Sequence, residues 1–294
     1  MCGRAAEKVW PNAIEIIHGA DVSESMLGLA RSLINQLRKE PFKEIAFCRF
    51  MSLAPKQTTF DLTVAAFSLG DLPDDGVIKT TVNLLWEKTR DILILIERGT
   101  PGGSRVLANA RRQILTKEGY LDADGEPLDQ QHWSNQLHIV APCPHERKCP
   151  MVDSWCHFAH RIELNKFQHE VNHLGRGFVD QKFCYLVIRR GPRPDPQQGD
   201  LIAQSYHWPR LIRRPLKRTG HIINDLCHAD GAFRRTIVPK SQGKQIYYDA
   251  RKGKWGDLWP HPPKHKALPL ESMAITTSNR KSNTRRRGST RKEK

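Results

Sequence analysis

Long apolar runs are absent: no stretch of about 18 hydrophobic residues occurs among the 294 positions, which excludes a membrane-spanning helix. The opening MCGRAAEKVWP lacks the apolar core of a secretory signal. It is also too short and too poor in Arg and Ser for a mitochondrial transit peptide. Cysteine is scarce, and seven cysteines without a secretory signal do not read as a disulfide framework. Acidic residues are scarce in one half only. From residue 141 onward 31 Lys and Arg face 13 Asp and Glu, whereas the first 140 positions hold 16 against 18. The net charge of +16 therefore belongs to the C-terminal half and predicts a polyanionic partner, nucleic acid being the commonest. The terminal NRKSNTRRRGSTRKEK does not account for it alone, because Arg189, Arg190, Arg234 and Arg235 recur upstream.

What is present in the first half alternates between two periods. AIEIIHGA, FDLTVAAF and DILILIE are short apolar runs, as strands buried on both faces should be. Between and after them, SESMLGLARSLINQL, VIKTTVNLLWEK and SRVLANARRQIL space their apolar residues as helices do. In the first of these the core-facing set is Met26, Leu29, Ala30, Leu33 and Leu37, with Ser23 or Ser25 as N-cap. Alternating strands and helices predict an open α/β sheet, doubly wound and parallel.

Such sheets bind ligands at the C-terminal ends of their strands. Asp21, which ends the first strand, is placed either to hold a nucleotide ribose or to cap the following helix. The loop SLGDLPDDG offers Ser68 and Asp71 at the end of the second strand. It has neither an Asn-Pro-Pro-aromatic grip for an amino group nor a cysteine nucleophile, so the residues alone support no catalysis there. No glycine-rich turn precedes Asp21, although backbone can approach a cofactor closely only through such a turn. The expectation is an N-terminally truncated sequence, lacking the sheet's first strand and glycine motif.

The stretch APCPHERKCPMVDSWCHFAHR puts Cys143, Cys149 and Cys156 into fourteen positions. The spacing C-x5-C-x6-C fits zinc ribbons poorly, since those use tighter pairs. Cys143-Pro144 and Cys149-Pro150 match the Cys-Pro pairs of iron–sulfur ligand segments. Cys227, in the polar setting HIINDLCHADGAF, is the best fourth ligand, whereas Cys48 and Cys184 lie in apolar contexts. A [4Fe-4S] cluster is the favoured cofactor. Zinc is the alternative, with His145, His157, His160 or His228 replacing a thiolate. Further on, SYHWPRLIRRPLKRTGHI interleaves Tyr206, His207 and Trp208 with Arg210, Arg213, Arg214, Lys217 and Arg218, a composition suited to stacking on bases while binding phosphates. Ile246–Ala250 and GKWGDLWP are expected to close the sheet. From His261 the chain reads as disordered.

Taken together, GADVSESMLGLA, FDLTVAAFSLGDLPDD, LWEKTRDILILIERGTPGGSRVLANARRQIL, HIVAPCPHERKCPM, WCHFAHR, WPRLIRRPLKRTGHI and GKWGDLWP resemble the methyltransferase-like proteins of the mitochondrial small ribosomal subunit. The resemblance covers roughly residues 5 to 260. It implies a class I S-adenosylmethionine methyltransferase sheet with little or no activity. It also implies a four-cysteine [4Fe-4S] cluster on Cys143, Cys149, Cys156 and Cys227. Mitochondrial partners follow as well: small-subunit ribosomal RNA, with ribosomal proteins. The rival reading is an active S-adenosylmethionine-dependent RNA methyltransferase. The expected division is a partial α/β domain over 1–140, a cluster and RNA-binding part completing the sheet over 141–260, and a basic tail over 261–294.

Overall fold

The computed structural model describes residues 2–36, 44–49, 58–128, 136–151, 154–172, 177–198 and 200–270. Helix α1 (Cys2–Val9) precedes β1 (Ile16–Ala20), α2 (Glu24–Gln36) and β2 (Glu44–Cys48), and β1 and β2 pair in parallel as a two-stranded sheet. Asp21 accepts from the Ser23 amide at 2.8 Å, and Ser23 Oγ accepts weakly from Met26 N at 3.4 Å. The carboxylate thus shapes the entry to α2, and Ser23 supplies the cap. The apolar stripe of α2 departs from expectation: Leu27 is the buried residue, whereas Met26, Leu29 and Leu33 are exposed. Leu37 lies outside the described residues.

The central sheet comprises β3 (Phe60–Ala66), β4 (Thr89–Arg98), β5 (Leu137–Ala141) and β7 (Phe178–Arg190) in the order β3-β4-β7-β5, with β6 (Phe158–Glu163) beside β7. Strands β3 and β4 are parallel and joined by α3 (Asp75–Lys88); α4 (Pro101–Lys117) follows β4. Asp74 caps α3 by accepting from Val77 N at 2.8 Å, and Thr100 caps α4 by accepting from Gly103 N at 3.1 Å. Gly103 is required here, because a Cβ would lie 2.2 Å from the Arg98 carbonyl oxygen. Strand β7 runs antiparallel to β4, β5 and β6, so the sheet is mixed rather than parallel throughout. Fully buried Leu93 and Leu95 of β4 meet Val82, Trp86 and Ile114 from the two helices. Each such side chain contributes about 1.5–3 kcal/mol.

The part expected to complete this sheet does so only through β6 and β7; the chain beyond Arg190 does not join it. After α5 (Lys166–Asn172) and α6 (Leu201–Ser205), the chain builds a second, antiparallel sheet. Its strands are β8 (Arg210–Leu211), β9 (Leu216–Arg218), β10 (His221–Cys227), β11 (Phe233–Pro239) and β12 (Leu268–Pro269). Ile246–Ala250 lies in helix α7 (Lys244–Lys252), not in a strand. This half has its own small core of Leu211, Ile222, Leu226, Val238, Ala250 and Trp259. Regular structure extends past 260, since β12 pairs with β11; residues 271–294 of the expected tail lie outside the described residues. Among the described residues no helix is long and apolar enough to cross a membrane.

Candidate metal centre

Cys143 follows β5, Cys156 precedes β6, and Cys227 ends β10. The structure brings these three and Cys149 to the wall of one cavity of about 580 Å³, although Cys227 is remote in sequence. Cys149, Cys156 and Cys227 have thiol pKa values raised first by burial and then by neighbouring thiols of the set. Ionising them together in that setting requires a compensating positive charge. Among the described residues no three His, Cys, Asp or Glu side chains converge tightly enough to hold a single metal ion. The thiols surround a space instead.

Charged side chains that the sequence did not single out hold the segment. Glu146, buried between the first two cysteines, accepts from Ile139 N at 2.9 Å and from Arg193 Nη2 at 2.6 Å. Arg193 also donates to the Ile139 carbonyl at 2.8 Å and the Tyr206 carbonyl at 2.6 Å. Arg111, buried on α4, donates through Nη2 to the carbonyls of His145 at 2.9 Å and Arg147 at 2.7 Å. These charge-assisted bonds fix the loop to α4, β5 and the approach to α6, and low local dielectric strengthens them. No periodicity flags Arg111, Glu146 or Arg193; the one available signal was a carboxylate inside the cysteine stretch. Cys184 is buried as expected, yet it borders the same cavity, and its thiol donates to the Cys156 carbonyl at 3.0 Å. Burial pushes its pKa to about 11.

Of the histidines considered for zinc, only His145 borders the cavity, with Nε2 3.4 Å from Cys227 Sγ. His157 packs against Trp255 at 4.2 Å, and His160 is exposed on β6. Burial, then Arg111, lowers the His145 pKa to about 3, so its ring is neutral at pH 7.

The basic residues divide. Arg214, Lys217 and Arg218 are exposed, the last two on the short strand β9. Arg213 is half-buried, 3.7 Å from the buried Asp225, which also takes both arms of Arg235 at 2.7 and 2.9 Å. Arg210 lines the cysteine cavity and donates to the Gly256 carbonyl at 2.6 Å. Of the aromatics, Tyr206 packs edge-on against His138 and His207 bonds the Pro194 carbonyl, so both are engaged within the fold. At the strand ends, Ser68 is exposed and Asp71 lies 3.7 Å from Arg98.

Fold and site together define an α/β protein with a mixed sheet and a four-thiol basin between that sheet and a basic antiparallel one. The chain belongs to the family described as mitochondrial small ribosomal subunit Rsm22, whose model matches residues 2–260. It is 30% identical over 279 residues to the human ribosome assembly protein METTL17, mitochondrial, covering 91% of this chain and 56% of that protein. The Rsm22-cox11 tandem protein 2, mitochondrial, of Schizosaccharomyces pombe is 34% identical over 231 residues, or 70% of this chain and 30% of its own. The Saccharomyces cerevisiae ribosome assembly protein RSM22, mitochondrial, is 26% identical over 260 residues, or 62% and 41%. The chain thus spans about half the length, or less, of these curated relatives. A solved structure of a candidate methyltransferase from Bacillus halodurans aligns over 65% of this chain at 11% identity with a TM-score of 0.33, a likeness too loose to carry an argument.

Proposed function

We propose that this chain is part of a mitochondrial ribosome-assembly factor that binds small-subunit ribosomal RNA and neighbouring ribosomal proteins. In this reading its two halves are joined by a [4Fe-4S] cluster on Cys143, Cys149, Cys156 and Cys227. The observation that carries the reading is the meeting of four thiols, three from one loop and one from β10, around a single cavity. Donor set and space suit a cluster better than zinc, whose four ligands must all lie within about 2.3 Å of one ion. When bound, the cluster supplies a cross-link and a one-electron redox centre. The protein's own part is to hold the thiols apart through Glu146, Arg193 and Arg111 and to keep water away. Arg214, Lys217 and Arg218 form the RNA-facing surface of this proposal, and the names of the relatives support ribosome assembly in mitochondria.

The same reading retains a degenerate methyltransferase sheet that runs through β1 and β3. Each of these has one edge unpaired among the described residues, and they touch through His18 and Phe60 at 5.1 Å. Asp21, Ser68 and Asp71 are its candidate cofactor contacts. Iron, zinc and acid-labile sulfide measured per chain after anaerobic purification test the cluster. About four irons and four sulfides are expected; one zinc without sulfide would overturn it.

One observation favours the second reading, S-adenosylmethionine-dependent methylation of RNA. Phe67, at the C-terminal end of β3, holds left-handed backbone at φ 56° with its side chain exposed, and buried Glu97 accepts from the Leu69 and Gly70 amides at 2.9 and 3.1 Å. Strain of this kind concentrates at functional sites. Transfer of labelled methyl groups to small-subunit RNA by the chain is the result that would establish this reading.

A further inference from the structure

We propose that His145 tunes the basin by donating a hydrogen bond from Nε2–H to Cys227 Sγ, and that Arg111 selects the tautomer able to do so. The inference rests on the cluster reading and deepens it. Nε2 and Sγ are 3.4 Å apart, within the range of a bond to sulfur. On the other side of the ring, Arg111 Nη2 lies 3.4 Å from Nδ1. A guanidinium carries only donors, so Nδ1 turns its lone pair to Arg111, sharing a hydrogen that Nη2 also gives to a carbonyl, and a ring proton sits on Nε2. The Arg147 carbonyl, which accepts from Arg111 at 2.7 Å, keeps a second lone pair near the ring; Cys227 decides between the two tautomers, because a ligating thiolate has no proton to give and can only accept. His145 is 2% exposed, so water does not offer the ring another partner.

The consequence falls on one ligand of four. Cys227 comes from β10, whereas the others come from the loop that holds His145. A hydrogen bond to a ligating sulfur withdraws electron density from it and favours the more negative, reduced state of a cluster. Arg111 adds a buried positive charge in the same direction and keeps its Nε without a protein partner. His145 and Arg111 are therefore positioning residues that raise the reduction potential, rather than ligands.

The test uses the full chain purified anaerobically, with iron and sulfide counted first. A wild-type chain without iron and sulfide defeats the cluster reading itself, and this inference with it. With the cluster present, potentials are read by redox titration for His145→Phe, which keeps the ring bulk without an N–H, and His145→Gln, which offers an amide donor. The expected result is a lower potential in His145→Phe and a smaller fall in His145→Gln, at unchanged iron content. Loss of iron in His145→Phe with retention in His145→Gln also supports the donor role. An unchanged potential in His145→Phe, equal falls in both variants, or equal loss of iron from both would overturn it and leave His145 a packing residue.

Discussion

The two halves of the molecule solve the same problem with different materials. The sheet of β3 and β4 is closed by apolar burial, with Leu93, Leu95, Val82 and Trp86 all fully buried in one continuous core. The cysteine loop and the antiparallel sheet beyond Arg190 have a smaller apolar core and rely on buried charge: Glu146 with Arg193, Arg111 over two carbonyls, and Asp225 with Arg235. Apolar burial is non-directional and tolerates change, whereas a buried ion is costly the moment its partner leaves. Under the proposed reading, the cysteine half is also the one whose integrity depends on a bound cluster.

The largest expected effect breaks that half alone. Cys143→Ser or Cys227→Ser should abolish stoichiometric iron and open residues 200–270 to limited proteolysis, while fragments retaining β3, β4 and β7 persist. Uniform digestion of the whole chain would show instead that the halves fold as one unit. Next, Glu146→Ala should cost about 3–5 kcal/mol in denaturant unfolding, because Arg193 is left buried without its counter-ion. Leu95→Ala should cost about 2–5 kcal/mol, through a cavity in the other core, and leave iron per folded chain unchanged.

A smaller effect concerns pH. His138 on β5 is buried, and desolvation lowers its pKa below the ordinary value. Below about pH 6.5 the unfolded imidazole takes up a proton that the folded one resists, so stability present above that pH is lost as pH falls, by at most about 1.4 kcal/mol per unit. Thermal midpoints of wild type and His138→Gln at pH 7.5 and 5.5 check this; the variant should show the shallower decline. The smallest effect on the fold belongs to the surface. Replacing Arg214, Lys217 and Arg218 with Gln should leave unfolding unchanged yet weaken binding to small-subunit RNA. The salt slope should flatten by about 0.7–0.9 for each phosphate no longer neutralised by a side chain.

How far the sequence exposed this contrast depends on range. The run DILILIE was legible as a buried strand because its own residues carry the signal, and the N-cap of α2 was confined to Ser23 or Ser25. Cys227 could be grouped with the three loop cysteines from its polar setting, and the structure places it on the same cavity wall. Ile246–Ala250 misled because a β-branched, tyrosine-rich pentapeptide is short enough to fit either period; the structure makes it α7 with Ala250 in the core. Met26, Leu29 and Leu33 do lie on one side of α2, but a stripe does not say what covers it. Arg111, Glu146, Arg193 and the inward turn of Tyr206 were hidden because their partners are distant in sequence, and a charged residue read alone looks like surface.

Strand β7 has a consequence for how the chain tolerates error. One stretch of it pairs with β4 and β5, from Arg190 back to Phe183, and the other pairs with β6, from Phe183 to Phe178. Phe183 faces both Arg98 and Phe158, so a single residue is shared between the two ladders. A slip of one position would turn Cys184, Leu186 and Ile188 outward and, in the same movement, carry β6 off register two residues after Cys156. Insertions or deletions within 178–190 should thus be among the least tolerated in the molecule, since one strand keeps the alignment of both the apolar core and the thiol loop.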